Sequence, residues 1–205
     1  MRRKARRVSD RGAACRLDTY DVPMAESLAG KLLVANPLMG DPNFARTVVL
    51  VVEDNEDGSM GLVLNRPSPE PVEHYLPMWA DTVAPPEVIF VGGPVMTDVA
   101  IGIGAGPAVP TDDFSPVVGD IALIDVAFGP DHWGGMNTAR IFAGYSGWEP
   151  TQLLAELSIQ SWIICEAAPG DVLDATPETL RNRVLARQPG RISLYARFPR
   201  DLSTN

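Results

Sequence analysis

The sequence predicts an α+β protein with a central mixed, partly antiparallel sheet and a few flanking helices. Three observations carry this. Residues 47–64 read as two apolar segments joined by a tight polar turn, a connection open only to antiparallel neighbours. More strand-like segments follow without the regular β-α-β alternation of a parallel sheet. Helix-start signals are few: Ser68-Pro69-Glu70, Glu149-Pro150 and Thr176-Pro177-Glu178.

The first strand spans residues 30–35 and stops at Asn36-Pro37, where proline removes a donor and holds its predecessor extended. The second, residues 47–52, is apolar throughout, as expected of a strand covered on both faces. Asp54-Asn55-Glu56-Asp57-Gly58 supplies turn chemistry, and a third strand, residues 60–64, returns. Ser68-Pro69-Glu70 has the pattern of an N-cap, a first-position proline and a first-turn acid, so a short helix is expected to about Trp79. Strands follow at 88–91, at 100–103 and at 121–126, with loops at 104–116 and 129–137. A strand at 140–143 feeds Gly144-Tyr145-Ser146-Gly147-Trp148, read as a loop. Pro150 is expected in the first turn of a helix whose Leu153, Leu154 and Leu157 share one face. A strand at 162–165, a helix carrying Leu180 and Val184, and a last strand at 192–196 complete the chain.

Charge divides the chain unevenly. The 205 residues carry a net −9, but residues 1–23 hold seven Lys/Arg against Asp10, Asp18 and Asp21. That leaves ten basic and 23 acidic residues, net −13, for 24–205, which reads as a single domain. Such a body repels phosphate backbones, so nucleic acid is expected only through the tail. Three readings fit the tail: a solvated arm, a start assigned upstream of Met24, or an arm contacting nucleic acid or anionic lipid. No run approaches the ~18 apolar residues of a membrane span, and the tail lacks an apolar signal core. Cys15 and Cys165 form no framework, so reduced thiols and a cytoplasmic location are expected.

Motifs for chemistry are sparse. His74 and His132 lie outside any metal-ligand spacing, so no metal is expected. Gly102-x-Gly104-x-Gly106 lacks the dinucleotide-loop spacing, and after residue 23 Lys31 is the sole lysine, so no Walker lysine is available and no cofactor is expected. The carboxylates Asp54, Glu56, Asp57, Asp112 and Asp113 sit in loops and read as solvated charge. Ser146 lies where a nucleophile elbow would, but glycine follows it immediately instead of one residue later. A hydrolase using residues 144–148 is therefore the alternative to the preferred reading, a non-catalytic regulatory or binding protein. For that reading the candidate surface is Asn65, Arg66, the Gly92-Gly93-Pro94 turn, Ser146, Gly147, Trp148 and Gln152, because these polar and glycine positions gather at strand ends. Its partner would be a small anion or a protein. Sheet edges leave a homo-oligomer open.

An ordered set of segments resembles the YqgE/AlgH family. It comprises Leu33-Val34-Ala35-Asn36-Pro37, Asp41-Pro42-Asn43-Phe44, Arg46-Thr47-Val48-Val49, Gly58 through Pro67, Gly92-Gly93-Pro94-Val95, and Gly144 through Trp148 with Gln152-Leu153, Glu156 and Trp162. Two departures stand out: Leu154 where the family usually has an acid, and no histidine in residues 98–104. The resemblance implies a cytosolic bacterial protein with a mixed sheet and flanking helices. Some members are labelled transcriptional regulators; no catalytic residue comes with the family.

Overall fold

Alternation along the first strands decides how the sheet is covered. In the computed structural model, which describes residues 27–106, 115–134 and 136–198, β1 is Lys31–Ala35, β2 Val48–Asn55 and β3 Gly58–Val63. Leu32, Val34, Val48, Leu50, Val52 and Leu62 belong to one buried cluster, while Leu33, Ala35, Val49, Val51 and Val63 belong to another. Both faces are therefore apolar because both are covered. The remaining strands are β4 (Pro67–Pro71), β5 (Val88–Val91), β6 (Val95–Ala105), β7 (Ser115–Val118), β8 (Ile121–Ile124), β9 (Thr138–Trp148) and β10 (Trp162–Glu166). The helices are α1 (Val72–Tyr75), α2 (Gln152–Ser158), α3 (Pro169–Val172) and α4 (Pro177–Ala186). Val172 of α3 and Leu180, Val184 and Leu185 of α4 join the first cluster; Leu153 and Leu157 of α2 join the second. Each such buried Leu or Val contributes about 1.5–3 kcal/mol relative to exposure.

Among the described residues the sheet has ten strands, ordered β10-β1-β2-β3-β9-β6-β8-β7, with β4 on β5 and β5 on β9. These strands pair antiparallel except β5 with β9, and an isolated parallel bridge joins Val83 to Ala139, so the sheet is mixed as expected. The β2–β3 hairpin closes through Glu56-Asp57, with Asn55 opposite Gly58. β9 is the hub: it pairs with β3 at 146–148, with β5 at 142–143 and with β6 from Thr138 to Tyr145. No helix among the described residues is long and apolar enough to cross a membrane. The basic tail, Cys15, and Asp112 and Asp113 lie outside the described residues.

Several elements differ from the expectation, each for a local reason. Ser68-Pro69-Glu70 does not open a helix but lies in β4, because Pro67, Pro69 and Pro71 hold Arg66, Ser68 and Glu70 extended. The helix before Pro77 shrinks to the four residues of α1, and Pro77 starts a 3₁₀ turn to Trp79. Residues 144–148 are the end of β9, not a loop. Pro150 precedes α2, which begins at Gln152, and Leu154 is 40% exposed and off the buried face. β6 is longer than the expected 100–103, and β7 falls in a stretch partly read as loop. The last strand is instead a 3₁₀ helix, Gly190–Arg197: Ile192 and Ala196 pack on the core while Leu194 between them is 67% exposed.

The passage from β5 to β6 crosses β9 at backbone contact. A Cβ on Gly92 would stand 2.2 Å from the Gly144 carbonyl oxygen, and one on Gly93 would stand 2.1 Å from the Tyr145 carbonyl carbon. Gly93→Ala is expected to cost about 3 kcal/mol or more in urea unfolding. Gly170→Ala, where nothing lies within 4 Å, should change stability by less than about 1 kcal/mol. Equal effects of the two substitutions would contradict the crossing.

Candidate functional site

The nine residues singled out in the sequence fall into three places. Gly92, Gly93 and Pro94 make the crossing turn. The Gly92 N–H donates to the Ala143 carbonyl at 2.9 Å, and the Gly92 carbonyl accepts from the Val63 N–H at 2.9 Å. Ser146 is fully buried in β9, and its hydroxyl donates to that same Gly92 carbonyl at 3.3 Å. Both histidines lie elsewhere: His74 is exposed on α1, and His132, also exposed, stacks on Phe128 at 4.5 Å. The elbow geometry is absent because Ser146 lies within a strand, with its side chain inward.

Trp148 and Gln152 belong to a second assembly, centred on Glu156. One Glu156 oxygen, Oε2, accepts from the indole N–H of Trp148 at 3.0 Å and of Trp162 at 2.7 Å. The other oxygen accepts from Gln152 Nε2 at 3.0 Å, and the Gln152 carbonyl oxygen accepts the Glu149 N–H at 3.1 Å. Phe44 packs on both indoles, at 6.2 Å from Trp148 and 5.4 Å from Trp162. A carboxylate satisfying two buried indoles fixes α2 to the ends of β9 and β10, since a buried Trp needs an acceptor. Gly147, between Ser146 and Trp148, is exposed and pairs opposite Met60.

Asn65 and Arg66 lead to the third place. The Asn65 side chain accepts from the Val48 N–H at 2.9 Å and donates to the Arg46 carbonyl at 3.0 Å. It holds the entry to β2 against the exit of β3, and it fixes Arg46, whose φ of 64° is left-handed. Arg66 Nη2 donates to the Pro42 carbonyl at 2.9 Å and, weakly, to the Ala45 carbonyl at 3.4 Å. Both residues line a cleft of about 260 Å³ with Ala45, Arg46, Glu178, Arg181 and Asn182. The last three project from α4 at i, i+3 and i+4, one face of the helix. Arg181 is 2% exposed; burial, and secondarily Arg46, push its guanidinium down to about 10. Burial also lowers Arg66, with Asp41 opposing.

Arg46, Glu178, Arg181 and Asn182 were not among the sequence candidates. The signal for Arg181 was its place beside Leu180 on a helix face otherwise turned to the core, where an arginine is unusual. Arg46 carried none beyond its position just before β2.

Cys165 is buried in β10, and burial pushes its thiol up to about 12, with Arg187 partly opposing. It packs in the first apolar cluster as a small hydrophobe.

Fold and site together define a class: an α+β protein whose curled, largely antiparallel sheet is clasped between helices, with a cation-lined cleft where β3 gives way to β4. The chain belongs to the AlgH-like (DUF179) family, whose sequence profile matches residues 32–193. It is 44% identical over 185 residues to a UPF0301 protein of Streptomyces avermitilis, covering 87% of this chain and 96% of that one. A UPF0301 protein of Mycolicibacterium vanbaalenii is 42% identical over 183 residues, covering 86% and 90%. Among solved structures, protein DIP2367 of Corynebacterium diphtheriae superposes with a TM-score of 0.78 at 28% identity, covering 83% of this chain and 92% of that one. The AlgH protein of Pseudomonas aeruginosa superposes with a TM-score of 0.65 at 35% identity, covering 84% and 95%.

Glu156→Gln should cost about 1–3 kcal/mol in denaturant unfolding, since one oxygen can no longer serve two indoles with a full charge. The indole N–H resonances of Trp148 and Trp162 should both move; if neither does, the clamp is wrong. Cys165 should escape alkylation by iodoacetamide at pH 8 in the folded protein and react once unfolded, read by peptide mapping.

Proposed function

We propose that this chain is a non-catalytic binding protein that recognises a small anion at the cleft between β3, β4 and α4. One observation carries the reading: Arg46, Arg66 and Arg181, three of the ten basic residues in 24–205, line one cleft of a body whose net charge is −13. Among the described lining residues only Glu178 is acidic. Like charges gathered against the average of the molecule favour an anion between them. Ligand occupancy would serve as a regulatory signal, because the lining comes from the β2 entry, the β3 exit and α4 at once.

The hydrolase alternative has less support. Ser146 spends its hydroxyl on a backbone carbonyl inside the sheet, and its hydrogen-bond partner is no base. The crossing turn and the Glu156 clamp account for Gly92, Gly93, Ser146, Trp148 and Gln152 by packing alone.

A thermal-shift panel of oxyanions at constant ionic strength tests the proposal. Phosphate, sulfate and small carboxylates in the millimolar range should include at least one that raises Tm by several degrees over chloride. Arg66→Gln should abolish most of that shift, while Ser146→Ala leaves it intact. No shift with any oxyanion would defeat the reading.

A further inference from the structure

A different surface stands out by its exposed side chains. Tyr75 of α1, Met78 of the 3₁₀ turn that follows and Phe128 after β8 are 61%, 56% and 44% exposed. None of them lines the cleft. The fold brings their two segments together. The Trp79 indole N–H donates to the Val126 carbonyl at 3.0 Å, and a Cβ on Gly129 would stand 3.5 Å from Met78 Sδ. Phe128 stacks on the exposed ring of His132, with centroids 4.5 Å apart and planes inclined by 19°. The same two segments send Val72, Trp79, Val126 and Trp133 inward to one buried cluster. Large apolar side chains are thus held outward on a packed base, the usual mark of a contact surface. Trp79, Trp148 and Trp162 each have an acceptor for the indole N–H. Trp133, buried edge-on to His132 at 5.1 Å, has none.

The charge carried by these segments is of one sign. Residues 70–81 and 125–137 contain five acids, Glu70, Glu73, Asp81, Asp125 and Asp131, and neither lysine nor arginine. All are exposed, and among the described residues no ion pair reaches any of them. Glu70 accepts from the Tyr75 hydroxyl at 3.2 Å, and Asp125 from the Ala127 N–H at 2.8 Å. We propose that this surface docks a basic peptide segment of another protein, with lysine or arginine around one large apolar side chain. The apolar side chain packs on Tyr75 and Met78. A cation stacks on the Phe128–His132 pair, since aromatic faces attract cations and arginine stacks on them best. The acids steer the basic segment in and select against acidic partners. They also disfavour a second copy of this chain, because a two-fold contact here sets the same acids against themselves.

Selection from a random peptide library displayed on phage, against the full chain at pH 8, tests the proposal. The enriched peptides should be basic with one large apolar residue, and a synthetic copy should bind in fluorescence anisotropy. Phe128→Ser should weaken that peptide roughly tenfold or more. If that variant does not fold, Met78→Ser should do the same. Asp131→Lys and Glu73→Lys should each weaken it about threefold at low salt, and the effect should vanish in about 0.5 M chloride. Glu56→Lys, an exposed acid in the β2–β3 turn, should leave binding unchanged. The Trp133 indole N–H resonance should move when the peptide binds. Enrichment of acidic or neutral peptides, or of none, overturns the proposal. Equal weakening by Glu56→Lys also overturns it, since attraction is then general to the acidic body. A dimer in sedimentation that Phe128→Ser dissociates assigns the face to a second copy instead. Displacement of the selected peptide by a synthetic peptide of residues 1–23 at equal or lower concentration assigns it to the chain's own basic tail instead.

Discussion

The fold depends on two backbones touching. Between β5 and β6 the chain passes against β9 so closely that Gly92 and Gly93 leave no room for a Cβ, and Gly144 on β9 faces the carbonyls of Gly93 and Val95 within 3 Å of where its own would be. This contact lets β9 serve β3, β5 and β6 together, and so makes one sheet of ten strands. It also explains Ser146: where two strands cross, the Gly92 carbonyl accepts from the Ser146 hydroxyl as well as from the Val63 N–H. Serine is small enough to be buried there and supplies the donor. Residues with the composition of an active site are thus the hardware of a crossing.

The same logic governs the polar residues held inside. Glu156 answers two indoles, and Arg140 answers three carbonyls across the β9–α3 boundary. Asp171 accepts from Arg187 and caps the Ala168 N–H, while the other Arg187 nitrogen bonds the Glu166 carbonyl. Each is a buried or half-buried charge with good geometry, which is how such groups avoid the cost of desolvation. They tie the helices and the connecting segments to the sheet, where apolar burial alone would permit sliding.

Sequence reasoning read the apolar frame well and the polar frame poorly. The runs in β1, β2, β3, β5, β8 and β10 announce strands because their side chains fill two-sided cores. β4 was hidden by proline, whose alternation forces extension but reads equally as a helix start. The first part of β6 was hidden because residues 96–100 are exposed, so no apolar pattern marks them. The end of β9 was hidden because two glycines in five residues imitate a loop. In the site, Asn65 and Arg66 were legible because a polar pair closing an apolar strand is conspicuous. Arg46 and Arg181 were not, since only the tertiary fold brings α4 beside the entry to β2. The Glu156 clamp had a trace in the spacing of Trp148, Gln152, Glu156 and Trp162, but spacing does not say that one oxygen serves two indoles.

Charge then takes on a different meaning from the one its total suggests. A body of net −13 repels an extended polyanion over most of its surface. Within the cleft the local composition differs from that average, since Arg46, Arg66 and Arg181 line it together with Glu178. Burial disfavours the charged form of Arg181, and Arg46 beside it does so to a lesser degree. The cleft is thus set apart by its local charge, where the glycine crossing is set apart by close backbone approach and the indole clamp by one shared carboxylate.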